Sequence, residues 1–321
     1  MKINRRQFLQ LTGATLAASA LPSAVAADLT LWGPPVTPTV LLAVAAQQGE
    51  ARKIRPFRVQ SWKGPDQLRA GLLSKSIEIS IVPSYVAANL RAQGQPVLLY
   101  NIMTTGLLAV LSKGGRIESV KELVGKKLVM PFKNDMPDLV LQILAKKAGV
   151  DLGGQITYTA TPPEAVLLFL KQKDLDYALL PEPLASAALL QAKKLNVAVE
   201  RSFAIDKALD TALGTKSGLA QAGLLLSEDF LKQNGEFVAA LDKDLTAAVQ
   251  WVKENGKGAA ELASQYMPAP APALELAFPH SGLTNLRTKD ISEDVLKFLH
   301  ELYALNPKIT GGKEPTADLF G

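Results

Sequence analysis

The chain has 321 residues, 48% of them hydrophobic, with 35 basic and 30 acidic side chains. That length allows two domains with sizeable cores, and the composition is not that of a disordered segment. No cysteine and only two histidines are present, which excludes disulfides, thiolate metal sites, a cysteine nucleophile and a histidine-rich metal cage; Lys and Arg are scattered and form no nucleic-acid patch.

Residues 1–26 read as an export signal. Arg5-Arg6 is followed by Phe8-Leu9 at twin-arginine spacing, then by an apolar run over 11–21 and small residues at Ala24-Val25-Ala26. The run is too short to span a bilayer, so a twin-arginine signal peptide, recognised by the twin-arginine translocase, is expected rather than an anchor. Its removal leaves 32 basic and 30 acidic residues, a formal charge of +2.

A strand over 29–32 enters the stiff loop Gly33-Pro34-Pro35-Val36-Thr37-Pro38. A helix over 39–48 ends at Gly49, and a strand over 57–62 turns through Lys63-Gly64 into a helix opened by Pro65. A strand over 77–82 leads through Pro83-Ser84-Tyr85 into a helix ending near Gly94. Residues 97–103 and 107–112 are apolar runs around Thr104-Thr105-Gly106, expected to form one extended crossing.

The grammar then repeats. A strand over 127–130 precedes the loop Pro131-Phe132-Lys133-Asn134-Asp135, where Asp135 is a candidate cap for a helix ending at Gly149. Strands follow over 156–159, 175–180 and 197–200. Thr161 is a candidate cap for the helix carrying Pro163. Residues 65–91 superimpose without a gap on 163–189, which places Pro65 on Pro163, Glu78 on Asp176 and Pro83 on Pro181. A second crossing over 222–226 is followed by a helix with Phe237, Leu241, Leu245, Val249 and Val252 on one face, and by a last helix from Ser292. Residues 267–273 alternate Pro and Ala and are expected to be irregular.

Strands joined by helices imply parallel sheets. Two such units joined by two crossings make two doubly wound lobes with a cleft between them. Residues 27–103 and 222–321 would form one lobe, and 104–221 the other. Ligands of open α/β sheets bind at the carboxyl ends of strands, so facing loops from the two lobes form a clamp.

At this point the chain resembles the periplasmic solute-binding proteins of ABC importers, in the nitrate/sulfonate/taurine/thiamine-pyrimidine class. The resemblance rests on residues 120–128 (VKELVGKKL), on 174–178 (DLDYA) through Pro181-Glu182-Pro183, and on 227–231 (SEDFL) followed by 238–251. It implies an α/β type II periplasmic-binding-protein fold, a periplasmic monomer, and a small-molecule solute handed to an ABC permease and its ATPase. No cofactor, metal, catalytic residue or nucleic-acid partner is implied. A thiamine-pyrimidine synthase on this fold uses a cysteine motif, which the chain lacks. A periplasmic ligand sensor would use the same binding chemistry.

The expected ligand contacts are Trp32, Pro34, Thr37, Trp62, Ser84, Tyr85, Thr104, Thr105, Lys133, Asn134, Asp135, Thr161 and Glu182. The tryptophans would stack on a planar ligand, and the hydroxyls would hydrogen-bond it. Glu182, held stiff between two prolines, would accept from a donor or pair with a cation. Together these suggest an organic solute. Members that bind oxyanions often carry Gly, Ser or Thr where this chain has Lys133-Asn134-Asp135, which weakens the alternative of a nitrate or sulfonate.

Overall fold

The computed structural model describes residues 29–321; the signal-peptide expectation therefore lies outside the described residues. The first half contains β1 (Leu29–Gly33), α1 (Thr39–Gln48), α2 (Ala51–Ile54), β2 (Phe57–Ser61), α3 (Pro65–Leu73), β3 (Ile79–Pro83), α4 (Ser84–Ala92), β4 (Val97–Leu99), β5 (Asn101–Thr104) and β6 (Leu108–Ser112). Then come β7 (Leu128–Pro131), α5 (Met136–Ala148), β8 (Ile156–Thr159), α6 (Pro162–Lys171), β9 (Tyr177–Pro181), α7 (Leu184–Lys194), β10 (Glu200–Arg201) and α8 (Ile205–Leu213). The remainder is β11 (Ala222–Ser227), α9 (Glu228–Gln233), α10 (Gly235–Glu254), α11 (Gly256–Ala263), α12 (Ala271–Ala277), β12 (Leu283–Arg287) and α13 (Ser292–Leu305).

Two sheets organise these elements into two lobes. The first runs β12-β5-β11-β3-β1-β2, with β4 also on β11, and the second runs β10-β6-β9-β7-β8. In each, a central strand is flanked by two parallel partners, β1 by β2 and β3, β7 by β8 and β9. The sequence repeat is thus a topological one. The crossing strands β11 and β6 instead pair antiparallel, β11 with β3 and β6 with β9. An all-parallel sheet was the wrong expectation there, because a strand arriving from the other lobe has no crossover helix to turn it around.

The first crossing is not one extended stretch. It divides at Thr105–Leu107 into β4 and β5 of the first sheet and β6 of the second. Residues 267–273 are not wholly irregular either, because α12 starts at Ala271 with Pro272 in its first turn, where a missing N–H breaks no helical bond.

Local chemistry accounts for the helix ends. The Asp135 carboxylate caps α5 by accepting from the Met136 N–H at 2.7 Å, and Gly149 closes that helix in the left-handed region at φ 69°. Helix α1 is buried from Thr39 to Ala45, which its uniformly apolar sequence allows, and packs beneath α10 and α11. One apolar core fills the first lobe around Leu31, Leu41, Ile79 and Phe237, and another fills the outer second lobe around Leu111, Val129 and Phe169. A third runs across both, joining Trp62, Leu68 and Val86 to Leu139, Leu144 and, on α13, Phe298 and Leu302. The C-terminal helix therefore belongs to the packing of both lobes.

Candidate functional site

The carboxyl ends of six parallel strands face one another across the lobe boundary. On the first lobe the loop after β1 is stiffened by the Thr39 hydroxyl, which donates to the Pro34 carbonyl at 2.6 Å. The Trp62 backbone N–H donates to the Gly33 carbonyl at 3.0 Å, and Ser61 Oγ donates to the Tyr266 carbonyl at 2.8 Å. These bonds hold the ends of β1 and β2 and the 266–270 segment as one wall.

On the second lobe the loop after β7 folds tightly. Phe132 donates its N–H to the Thr159 carbonyl at 3.2 Å, and Asp135 donates its own to the Phe132 carbonyl at 3.2 Å. Phe132 sits at φ 60° and Asn134 at φ 61°. A bulky residue in the left-handed region costs about 1–3 kcal/mol and tends to mark a functional loop.

Between these walls lies a cavity of about 320 Å³. Pro34, Pro35, Val36, Trp62, Lys63, Gly64 and Pro65 line it from the first lobe, with Pro268, Ala269 and Pro270 along one side. Phe132, Asp135, Pro162, Pro163, Pro181, Pro183, Leu184 and Ala187 line it from the second. Larger hollows of about 490 and 560 Å³ flank α5, the first walled mainly by helix faces and the second by α5 and residues 150–154, and one of about 400 Å³ lies at the crossing around Thr105, Arg201 and His280. The smaller cavity is the one bounded by strand-end loops of both lobes, which is where open α/β sheets hold ligands.

Of the thirteen residues singled out from sequence, Pro34, Trp62 and Asp135 line this cavity. Trp62 is 8% exposed and its indole N–H is buried with no protein acceptor. A buried indole N–H ordinarily finds one, so it has a bond left to make. Thr37 and Ser84 lie fully buried at the ends of β1 and β3, and each also carries a hydroxyl without a partner. Tyr85 Oη donates to Asp135 Oδ1 at 2.6 Å. Burial first, and then the Asp135 charge, hold that phenol well above its ordinary pKa.

The other ten do not line the cavity. Trp32 is a half-buried β1 residue packed on the shared core. Thr104 is fully buried and donates to the Ser281 carbonyl at 2.7 Å; Thr105 donates to the Gly282 carbonyl at 3.4 Å, at the crossing. Lys133 places its ammonium 5.3 Å from the Tyr158 ring centre, on the outer side of α5. Asn134 faces the 490 Å³ groove and donates its N–H to Asp138 Oδ2 at 2.7 Å. Thr161 is exposed at the start of α6 and makes no side-chain cap.

Glu182 lies apart from the cavity wall as well. Its side chain is 0% exposed, 2.5 Å from Arg201 Nη1, and it accepts the Ser186 N–H at 3.1 Å. Arg201 Nη2 donates to Ser186 Oγ at 2.8 Å, which fixes the guanidinium. Burial raises the Glu182 pKa, while Arg201 and Ser186 oppose that rise. The carboxylate is engaged by the start of α7 and by an ion pair, and it does not line the cavity.

Sequence reasoning missed Val36, Phe132 and most of the proline wall. The repeat already places Pro65 over Pro163 and Pro83 over Pro181, so the signal was present in proline positions rather than in polar residues. Among the described residues, no group of three or more His, Asp or Glu side chains is disposed to hold a metal ion, and no helix is long and apolar enough to cross a membrane.

Two sheet-built lobes, joined by two crossings and walling one cavity with their strand ends, define the two-lobed periplasmic-binding-protein class. The profile of the NMT1-like family matches residues 67–267, and the chain belongs to that family. No curated protein matches the chain. An ABC transporter structure from Parabacteroides distasonis is similar at TM-score 0.75 and 19% identity, over 92% of this chain and 98% of that one. The aliphatic sulphonate binding protein SsuA of Escherichia coli gives TM-score 0.69 and 17% identity, over 91% and 90%. The nitrate-binding protein NrtA of Synechocystis PCC 6803 gives 0.64 and 14%, over 87% and 81%. At these identities the likenesses establish the fold.

Proposed function

We propose that the chain is the solute-binding component of an ABC importer. It is exported to the periplasm by its twin-arginine segment, clamps a small organic solute between its lobes, and delivers it to a membrane permease and its ATPase. Residues 27–103 with 222–321 act as one lobe, and 104–221 as the other. The protein works as a binder, without catalysis or cofactor. The observation that carries this reading is the cavity between facing strand ends, with Trp62 of one lobe and Phe132 of the other in its wall. The names of the solved neighbours favour a second reading, an oxyanion solute such as a sulfonate or nitrate.

The test is small-angle scattering with and without ligand, after a melting screen has found one. Closure of the lobes should reduce the radius of gyration at saturation. Binding that leaves the scattering profile unchanged from an open state would remove the clamp. Replacing Arg5 and Arg6 by Lys should strand the precursor in the cytoplasm; normal export of that variant would remove the twin-arginine assignment.

A further inference from the structure

We infer that Asp206 and Gln221 are the catch that holds the two crossings together, and that taking up or releasing a proton there sets the angle between the lobes. This rests on the reading of the lobes as a clamp. Asp206 stands at the second position of α8, in the second lobe, and is 8% exposed; Gln221, the residue before β11, is 2% exposed. Asp206 Oδ2 accepts the Leu108 N–H of the first crossing at 2.8 Å, and its Oδ1 accepts from the Gln221 side-chain amide of the second. The oxygen of the same amide accepts the Leu107 N–H at 3.2 Å. The backbone carbonyl of Gln221 accepts the Ser84 N–H at 2.9 Å, which ties the catch to the start of α4 beside Tyr85. The packing leaves no slack: a side-chain carbon at Gly106 would stand 2.8 Å from Asp206 Cβ, and one at Gly218 would stand 2.7 Å from Thr105 Cβ. Two buried side chains therefore join both crossings at the point about which the lobes turn.

The carboxylate has no counter-charge. Arg116, Arg201, Lys207 and His280 line the cavity of about 400 Å³ beside it, and Asp210 lies one turn further along α8. None of the cations forms an ion pair with Asp206 among the described residues; Arg116 and Arg201 pair instead with Glu118 and Glu182. A buried charge without a partner is costly, and burial outweighs the hydrogen bonds in pushing the Asp206 pKa up to about 7. The arrangement seen here is thus one that keeps the proton. Once the proton leaves, a turn of the hinge that admits water from the adjoining cavity relieves the cost, and the hydrated carboxyl returns to its ordinary, lower pKa. By linkage the present lobe angle is favoured in acid and gives way as pH rises through about 7.

The experiment is solution scattering and hydrogen exchange of the ligand-free mature protein from pH 5 to pH 9. The radius of gyration should grow above about pH 7. Amide protection at Leu107 and Leu108, corrected for the intrinsic pH dependence of exchange, should fall with it. Asp206→Asn keeps the shape without the titration and should hold both readings level across the range. Asp290→Asn removes an exposed carboxylate of the first lobe and should leave the transition where it is. His280→Gln should do the same, since burial and Arg201 already hold that imidazole below its ordinary pKa. Gln221→Met removes a donor that favours the ionised form and should move the midpoint up by about one pH unit. Level readings in the unaltered protein overturn the inference, as does a transition that survives Asp206→Asn or disappears with His280→Gln. Should Asp206→Asn fail to fold, an unmoved midpoint in Gln221→Met overturns it equally. None of these measurements uses a solute, so a solute that binds without changing the scattering at any pH would count against the clamp and leave the catch standing.

Discussion

Tyr85 Oη donates to Asp135 Oδ1 at 2.6 Å, and this bond crosses from the start of α4 in one lobe to the cap of α5 in the other. It lies beside the cavity wall, so the two lobes are tied where a ligand would enter. A second tie is made by α13. Its Asp294 Oδ2 accepts the N–H groups of Lys216 and Ser217 at 2.8 Å each, and Glu301 pairs with Lys147 of α5 at 2.5 Å. Tyr85 and, on α13, Phe298 and Leu302 all belong to the shared apolar core, and Phe in place of Tyr85 would keep the ring there while losing the bond.

Tyr85→Phe should therefore loosen closure and leave folding nearly intact. A hydrogen bond to a charged acceptor contributes about 1.5–3 kcal/mol, and the lower figure fits because Asp135 is only half-buried. The ligand-free variant should show a larger radius of gyration in solution scattering, with its melting temperature almost unmoved. An unchanged scattering profile would remove the latch.

Glu182→Gln should cost stability rather than affinity. Removing one partner of a buried ion pair leaves the other uncompensated, at about 3 kcal/mol where the cation still reaches solvent, as Arg201 does at 20% side-chain exposure. The apo melting temperature should fall while the solute affinity holds within about twofold. Calorimetric titration of the variant decides the point, and a large loss of affinity with normal melting would return Glu182 to the ligand.

Much of this fold was legible because the relevant physics is local. The repeat at Pro65 and Pro163, the candidate cap at Asp135 and the helix face from Phe237 to Val252 depend on neighbours in sequence, and each has its counterpart in the structure. The candidate site was less so. Glu182, Lys133 and Thr104 are polar residues at strand ends, and sequence shows where such a residue stands but not which way its side chain turns. Arg201, Tyr158 and Ser281 claim them, from 19, 25 and 177 residues away. The cavity is instead walled by prolines, whose turn chemistry masks their role as apolar surface. Strand β12 was missed because it is half-buried throughout and alternates weakly, whereas α8 was missed although Ile205 and Leu209 mark its buried face.

Stability should fall as pH rises from about 4 to about 7. Asp206 lies at the first crossing, where its Oδ2 accepts the Leu108 N–H at 2.8 Å and its Oδ1 accepts from the Gln221 amide. Burial outweighs both bonds and pushes its pKa up to about 7. The unfolded chain has the ordinary lower value, so the folded state binds the extra proton in this window. The stability this contributes is complete below about pH 4 and lost as pH passes 7, up to about 4 kcal/mol. Asp206→Asn should flatten that part of the profile. Urea unfolding at pH 5 and pH 8 checks it; an unchanged pH slope in the variant would clear Asp206 of the effect.

Phe132 links backbone strain to the cavity. Its φ of 60° costs about 1–3 kcal/mol for a residue with a bulky side chain, and its ring lines the second-lobe wall. Phe132→Gly releases that strain, because glycine occupies the left-handed region freely, but gives back about 0.5–1 kcal/mol through the greater freedom of the unfolded chain. Its melting temperature should hold or rise slightly. Losing a half-buried ring from the wall removes about 1.5 kcal/mol of apolar contact with the solute, close to a tenfold loss of affinity. Phe132→Ala also loses the ring but keeps a Cβ in the strained conformation, so it should melt below the glycine variant and bind as weakly. Titrating both variants with the strongest ligand from the melting screen, alongside apo melting curves, separates the two effects. If alanine and glycine melt together, the loop is not strained; if both bind like the unaltered protein, the Phe132 ring is not part of the solute wall.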